Sequence, residues 1–294
     1  MPTLVLKSYA KLNLYLEVVR KRPDGYHELR TIFEKISLAD QIKLTKRSDG
    51  EIKIISTSSE LPSDYTKNLA YKSAKLIKDN FCLKCGVDIN IIKHIPVGSG
   101  MGGGSSNAAT VLCGLNRLWK INLKEEELAK LALKIGSDVP FFIYQDSFAY
   151  AQGRGEKIKK LPKLTGKKFW HILVVPRVFV STADIYQSWD NIKSFALTKR
   201  KTDIRILLSA LENKDYSLLS RYLYNSLMPV TENNFPQVSK IIEVMRQEEV
   251  GASLMSGSGP TVFGIVSSKN KAMSIAAKMR SKDASWRVFL ARTV

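Results

Sequence analysis

Pro96-Val97-Gly98-Ser99-Gly100-Met101-Gly102-Gly103-Gly104-Ser105-Ser106-Asn107 sets five glycines within seven positions. Glycine reaches positive φ at no steric cost and lets backbone N–H groups come close to an anion. The flanks give those glycines a use. Before them, Val87–Ile92 reads as a buried strand running into His94-Ile95-Pro96. After them, Ser105–Trp119, rich in Ala and Leu, reads as a helix. The first N–H groups of a helix have no partner within it, and its positive dipole end faces the same way. Strand, glycine loop and helix start in that order make a polyphosphate cradle, with the Ser105 and Ser106 hydroxyls as further donors or a metal contact. Gly98, Gly100 and Gly103 also fit G-x-G-x-x-G, but the dinucleotide fold then needs a second strand ending in an acid about 20 residues on. Here Glu125-Glu126-Glu127 open a helix instead. No Lys-Ser/Thr follows the glycines, so the G-x-x-x-x-G-K-[ST] phosphate loop is absent as well.

Upstream, Leu12, Leu14, Leu16 and Val18 alternate with other residues, which places four apolar side chains on one face of a strand. Leu4-Val5-Leu6 and Ile52–Ile55 suggest further strands, and Ala70, Ala74, Ile77 and Phe81 recur at helical spacing. Downstream of the loop, Leu128, Leu131, Ala132 and Ile135 mark a helix stopped by Gly136. Past Tyr150, Gly153, Gly155, Pro162 and Gly166 among many lysines put a domain boundary near Thr165, giving domains 1–165 and 166–294. The second half restarts with a strand at Ile172–Val175. Helices at Ile204–Leu211, Leu218–Leu227 and Val238–Met245 follow, then a strand at Thr261–Val266, a helix around Ile275–Met279 and a strand at Trp286–Leu290. That order suits an α+β sandwich.

A chain of 294 residues with 44% apolar and 25% charged residues describes a soluble globular protein. No apolar run reaches the ~18 residues of a membrane span, and Met1–Lys7 is too short for a secretory signal, so a cytoplasmic protein is expected. Cys82 and Cys85 stand as C-x-x-C, but only Cys113, His27, His94 and His171 could complete a metal site, so they read as surface or packing residues. The excess of 46 Lys+Arg over 27 Asp+Glu, +19 in all, favours polyanionic partners. Much of it lies in Lys157–Lys168 and Lys199–Lys201, which read as solvated faces without the interleaved aromatics that single-stranded nucleic acid stacks on. The expected partner is a small molecule, with neither nucleic acid nor membrane. Monomer and weak dimer both stay open.

Five blocks span nearly the whole chain: Lys7–Leu16 (KSYAKLNLYL), Arg22–His27 (RPDGYH), the glycine loop, Gly136–Phe141 (GSDVPF) and Ser256–Pro260 (SGSGP). In this order they resemble the GHMP kinases (galactokinase, homoserine, mevalonate and phosphomevalonate kinases), and among them the branch whose acceptor carries a cytidine diphosphate. The resemblance implies a two-domain α+β architecture. Its N-terminal α/β nucleotide-binding domain is ribosomal-protein-like, its C-terminal α+β sandwich ferredoxin-like, and the active site lies in the cleft between them. It further implies transfer of the ATP γ-phosphoryl group to a 2-hydroxyl of the cytidyl substrate, on the non-mevalonate route to isoprenoid precursors.

By the same resemblance Asp138 matches the general base, and Lys11 the lysine that orients it and stabilises developing negative charge. Proton acceptance and charge stabilisation are what phosphoryl transfer to a tertiary alcohol needs. Tyr26 and His27 match the positions that hold the cytosine, Tyr26 by stacking and His27 through imidazole or backbone groups. Asn13, two residues beyond Lys11 on the same strand face, is placed to meet the alcohol end of the substrate. Asn68 matches a nucleoside-binding position and equally reads as a helix N-cap. Ser256–Pro260 resembles a second glycine loop that folds back beside the first. The chain departs from the family at Asn225-Ser226-Leu227-Met228-Pro229, where an acidic pair is common. Mg2+ is expected with ATP; Ser105 or Ser106 could touch it, with phosphate oxygens and water supplying the other ligands.

Overall fold

The alternating apolar residues form the middle of one long strand, β1 (Thr3–Lys21), which also takes in Leu4-Val5-Leu6. All of Ala10–Leu16 is buried, so this stretch is covered on both faces. A turn leads into its neighbour, β2 (His27–Arg47), longer still. The computed structural model describes residues 1–58, 64–191 and 203–294; the basic run Lys199–Lys201 lies outside the described residues. The chain divides into two compact units that interleave in sequence. One holds Met1–Ala10, Ala39–Val97 and Gly102–Gln145, the other Lys11–Leu38, Gly98–Met101 and Asp146–Val294.

In the first unit, β3 (Ile52–Ser56) is followed by α1 (Leu69–Asn80) and β4 (Gly86–Ile92). β4 pairs parallel with β3 and antiparallel with the later part of β2, in register from Gln41↔Ile92 to Arg47↔Gly86. Ala70, Ala74 and Ile77 turn inward from α1, whereas Phe81 falls at the C-cap and is 39% exposed. Next come α2 (Gly103–Leu118), α3 (Glu125–Leu133) and α4 (Val139–Ile143). Val111, Leu112 and Leu115 of α2 share a core with Ile42, Leu44, Val87, Ile89 and Ile91. Gly114 permits that approach: a Cβ there would stand 2.4 Å from Leu44 Cδ1 and 2.7 Å from Leu6 Cδ1.

In the second unit, β5 (Phe148–Gly153) pairs antiparallel with the early part of β2, and β6 (Lys157–Lys160) with β5. Part of the Lys157–Lys168 run is therefore strand. Then follow β7 (Trp170–Val175), α5 (Thr182–Asn191), α6 (Ile204–Asn213), α7 (Tyr216–Tyr222) and β8 (Tyr224–Asn225). After them come α8 (Met228–Asn234), α9 (Pro236–Gln247), β9 (Ala252–Met255), β10 (Val262–Val266), α10 (Lys269–Lys282) and β11 (Arg287–Arg292). A four-stranded antiparallel sheet, ordered β11-β7-β10-β9, packs on α9 and α10 through Val238, Ile241, Met245, Ala272, Ile275 and Met279. Each of these larger apolar side chains contributes about 1.5–3 kcal/mol as an upper estimate.

The helix expected over Leu218–Leu227 stops at Tyr222. Tyr224 and Asn225 instead pair parallel with Tyr15 and Leu16 of β1. Local apolar spacing could not register that partner, some 200 residues away in sequence. No helix among the described residues is long and apolar enough to cross a membrane.

Candidate active site

The glycine loop gains its shape from what holds its carbonyls. Thr261 Oγ1 donates to the Ser99 carbonyl at 2.6 Å, Ser256 Oγ to the Gly100 carbonyl at 3.2 Å, and the Lys11 N–H to the Met101 carbonyl at 3.0 Å. In a trans peptide the N–H points opposite to the preceding carbonyl. The N–H groups of Gly100, Met101 and Gly102 are thereby turned away from those anchors. The row continues into α2, whose first internal bond is Ser106 N–H to the Gly102 carbonyl at 2.9 Å, so Gly103, Gly104 and Ser105 have no helical acceptor. Gly98, Gly100 and Gly102 have φ of 65°, 74° and 69°. A Cβ at Gly100 would stand 2.3 Å from the Ser256 carbonyl oxygen. A run of N–H groups without protein acceptors in the helix, at a helix start, fits phosphate oxygens.

The N-terminal flank of the loop rests on a network that the sequence did not reveal. Asp40 is 1% exposed and accepts from the N–H groups of His94 and Ile95, at 2.7 and 2.8 Å, and from Asn107 Nδ2 at 2.9 Å. Lys93 pairs with the same carboxylate. Asn107 Nδ2 also donates to Ser8 Oγ, which donates to Ser106 Oγ at 2.8 Å. Ser106 is accordingly buried and engaged, while Ser105 is half-buried. The sequence signal was faint: an acid within an apolar strand and an Asn at the end of the loop.

Lys11 and Asn13 come together as their spacing implies. Lys11 is 4% exposed, donates from Nζ to Asn13 Oδ1 and lies 5.4 Å from the centre of the Phe33 ring. Asn13 Nδ2 donates to Thr31 Oγ1 at 2.8 Å, and Thr31 to the Tyr15 carbonyl at 2.6 Å, which fixes the amide's orientation. Asp138 stands just before α4 in the other unit, half-buried, and its side chain makes no capping bond. Asn68 caps α1, accepting the Ala70 N–H at 2.9 Å, and so performs the structural role open to it.

The Arg22–His27 turn is braced from several sides. Arg22 donates to both Asp24 oxygens and to Glu28 at 2.9 Å, and its bond holds the Asp24 carboxyl below the usual carboxylate range. Tyr26 is 53% exposed, with the Arg154 guanidinium 4.5 Å over its ring. His27 is 8% exposed, and its Nε2 lies 2.7 Å from Asp190 Oδ1. Burial alone would push the Asp190 carboxyl up, but hydrogen bonds from Lys21 and His27 outweigh it and hold the group below its ordinary range.

The second glycine loop is buried throughout Ser256–Pro260. Asn225 Nδ2 donates to the carbonyls of Met255 and Gly257, both at 2.8 Å, while its Oδ1 accepts the Leu227 N–H. Ser226 N–H donates to the Leu16 carbonyl at 2.8 Å. The segment without the acidic pair thus holds the second loop and the end of β8. Neutral Asn225 can give two N–H bonds to carbonyls where a carboxylate could only accept.

The likeness to known proteins runs along almost the whole chain. Residues 68–146 match the GHMP kinases N terminal domain and residues 207–284 the GHMP kinases C terminal domain. The 4-diphosphocytidyl-2-C-methyl-D-erythritol kinase of Geobacillus sp. (strain WCH70) is 44% identical over 277 residues, covering 94% of this chain and 93% of that protein. That of Bacillus subtilis (strain 168) is 45% identical over 276 residues, covering 93% and 92%. A crystal structure of 4-(cytidine 5'-diphospho)-2C-methyl-D-erythritol kinase superposes with a TM-score of 0.79 at 30% identity, over 98% of both chains. With likeness at this level along almost its whole length, the chain belongs to the 4-diphosphocytidyl-2-C-methyl-D-erythritol kinase family of the GHMP kinases.

Proposed function

We propose that the protein transfers the γ-phosphoryl group of ATP to the 2-hydroxyl of 4-diphosphocytidyl-2-C-methyl-D-erythritol, giving the 2-phosphate and ADP on the non-mevalonate route to isoprenoid precursors. The observation that carries this reading is the near-full-length likeness to kinases named for that substrate. The loop supports it independently, because its N–H groups are turned away from carbonyls tied to Thr261, Ser256 and Lys11. Such donors hold transferring phosphates without reorganising during the reaction.

Each side chain then receives a role. Asp138 takes the proton of the attacking hydroxyl, and Lys11, held by Asn13, stabilises the charge that develops. Asn13 binds the alcohol end, Tyr26 stacks on the cytosine and the His27 backbone reads its edge. Asn68 joins nucleoside binding only through the helix start it caps. Ser105, half-buried at the start of α2, is the hydroxyl available to the Mg2+ that accompanies ATP and neutralises its phosphates, whereas Ser106 serves the loop. An ATP-dependent step on a charged small molecule suits the cytoplasm.

The test follows ADP release from Mg2+-ATP with this cytidyl substrate, with mevalonate, homoserine and galactose as parallel acceptors. Turnover with the cytidyl substrate alone is expected. Asp138→Asn should lower it about 10²–10⁴-fold with ATP affinity nearly intact. Turnover with another acceptor would overturn the substrate, and an unchanged Asp138→Asn rate would remove the base.

A further inference from the structure

Three residues of α5 close on one imidazole. Tyr186, Trp189 and Asp190 stand at i, i+3 and i+4, one face of a helix. Tyr186 stacks on His27 with ring centres 4.8 Å apart and planes 29° from parallel. Trp189 meets the same ring edge-on at 5.6 Å. Asp190 Oδ1 lies 2.7 Å from His27 Nε2, and its other oxygen is taken by Lys21 Nζ at 2.6 Å. An ionised carboxylate only accepts, so Nε2 is the ring nitrogen that carries the proton. The imidazole is held by stacking on one side, an edge contact on another and a charge-assisted bond at its tip.

Resting on the function proposed above, we propose that Asp190 is a positioning residue for cytidyl recognition. By holding His27 in its Nε2–H form, with Lys21 steadying the carboxylate, it fixes the Tyr26-His27 backbone that meets the pyrimidine. The ring itself is engaged within the protein, and the base is read by the main chain of a turn whose last residue cannot rotate. Specificity for the cytidyl group then depends on α5, more than 150 residues from the turn in sequence.

The experiment combines kinetics with imidazole 15N spectra, which are tractable because the chain has three histidines. In the wild type, neutral His27 should show a protonated Nε2. Asp190→Asn should raise KM for the cytidyl substrate about 5–30-fold, as expected for weakening one charge-assisted bond. KM for ATP should stay within about twofold, and the spectrum should show His27 exchanging between tautomers. Asp190→Glu, which keeps a carboxylate on the same helix face, should recover part of the loss. A wild-type Nδ1–H tautomer, or an Asp190→Asn enzyme with normal cytidyl KM, would overturn the proposal. Tyr26→Ala separates the two readings. A raised cytidyl KM there beside a normal one in Asp190→Asn sinks the positioning role alone. A wild type that neither binds cytidine diphosphate nor turns over the cytidyl substrate sinks both.

Discussion

Two glycine loops with similar spelling, Gly98–Ser106 and Ser256–Pro260, do opposite things. The first leaves Gly98 and Gly104 exposed and runs into a sixteen-residue helix, whose first N–H groups have no acceptor within it. The second is buried throughout and spends its polar groups on the protein: Ser256 on Gly100, Asn225 on Met255 and Gly257, Thr231 on Ser258. Gly100 of the first makes room for the Ser256 carbonyl of the second, and Gly257 of the second for the backbone of Gly100, whereas Gly104 of the first has Leu69 Cδ1 at 3.8 Å from its Cβ position. Carbonyls are held in both, so the distinction lies in burial and in the helix that follows the first.

Gly100 is where the two loops touch, and substitution there should have the largest effect. Ala at this φ costs roughly 1–2 kcal/mol, and its methyl would run into the Ser256 carbonyl, so Gly100→Ala should lose on the order of 3 kcal/mol by denaturant unfolding. A stable, active variant would show that the loops separate freely. Asn225→Ala strips donors from two buried carbonyls and should cost about 2 kcal/mol. KM for ATP should change little, since the second loop supports rather than binds; a large rise would make it a binding loop. Gly104→Ala should do the reverse. Among the described residues its Cβ would find only Leu69 Cδ1, at 3.8 Å, and Ala gains about 0.5–1 kcal/mol in a helix. The variant should be equally or more heat-stable while KM for ATP rises severalfold, because the methyl occupies phosphate space. Unchanged ATP binding would break the contrast. The smallest expected effect is that of Ser106→Ala beside Ser105→Ala. The first should lower stability by about 1 kcal/mol through Ser8 and the second should alter the Mg2+ dependence of turnover.

Much of this was open to reading in the chain. Gly98–Gly104 announced a positive-φ turn into a helix because the steric demand for glycine is local, and α2 announced itself by composition. Lys11 and Asn13 were legible as a pair because a strand repeats every two residues, and they share a hydrogen bond. Less legible were the partners that orient these groups. Nothing near Asp40 in sequence foretells that it ties Lys93, His94, Ile95 and Asn107 together. Nor does the Arg22–His27 turn foretell Asp190. The helix expected to run to Leu227 was lost for the same reason, since Tyr224 and Asn225 answer to Tyr15 and Leu16 of a distant strand.

The sequence by itself determined the positions where only glycine fits, the periodicities of the strands and helices, and the order of five blocks shared with a kinase family. These are short-range constraints, written within a few residues of where they act. Only the tertiary structure decided which loop carbonyls are held and hence which way the N–H groups point. It also decided that Ser106 is engaged while Ser105 is not buried, and that His27 is gripped by α5. Hydrogen-bond partners of buried polar groups are chosen by whatever the fold brings within about 3 Å, and that depends on chain segments tens to hundreds of residues apart.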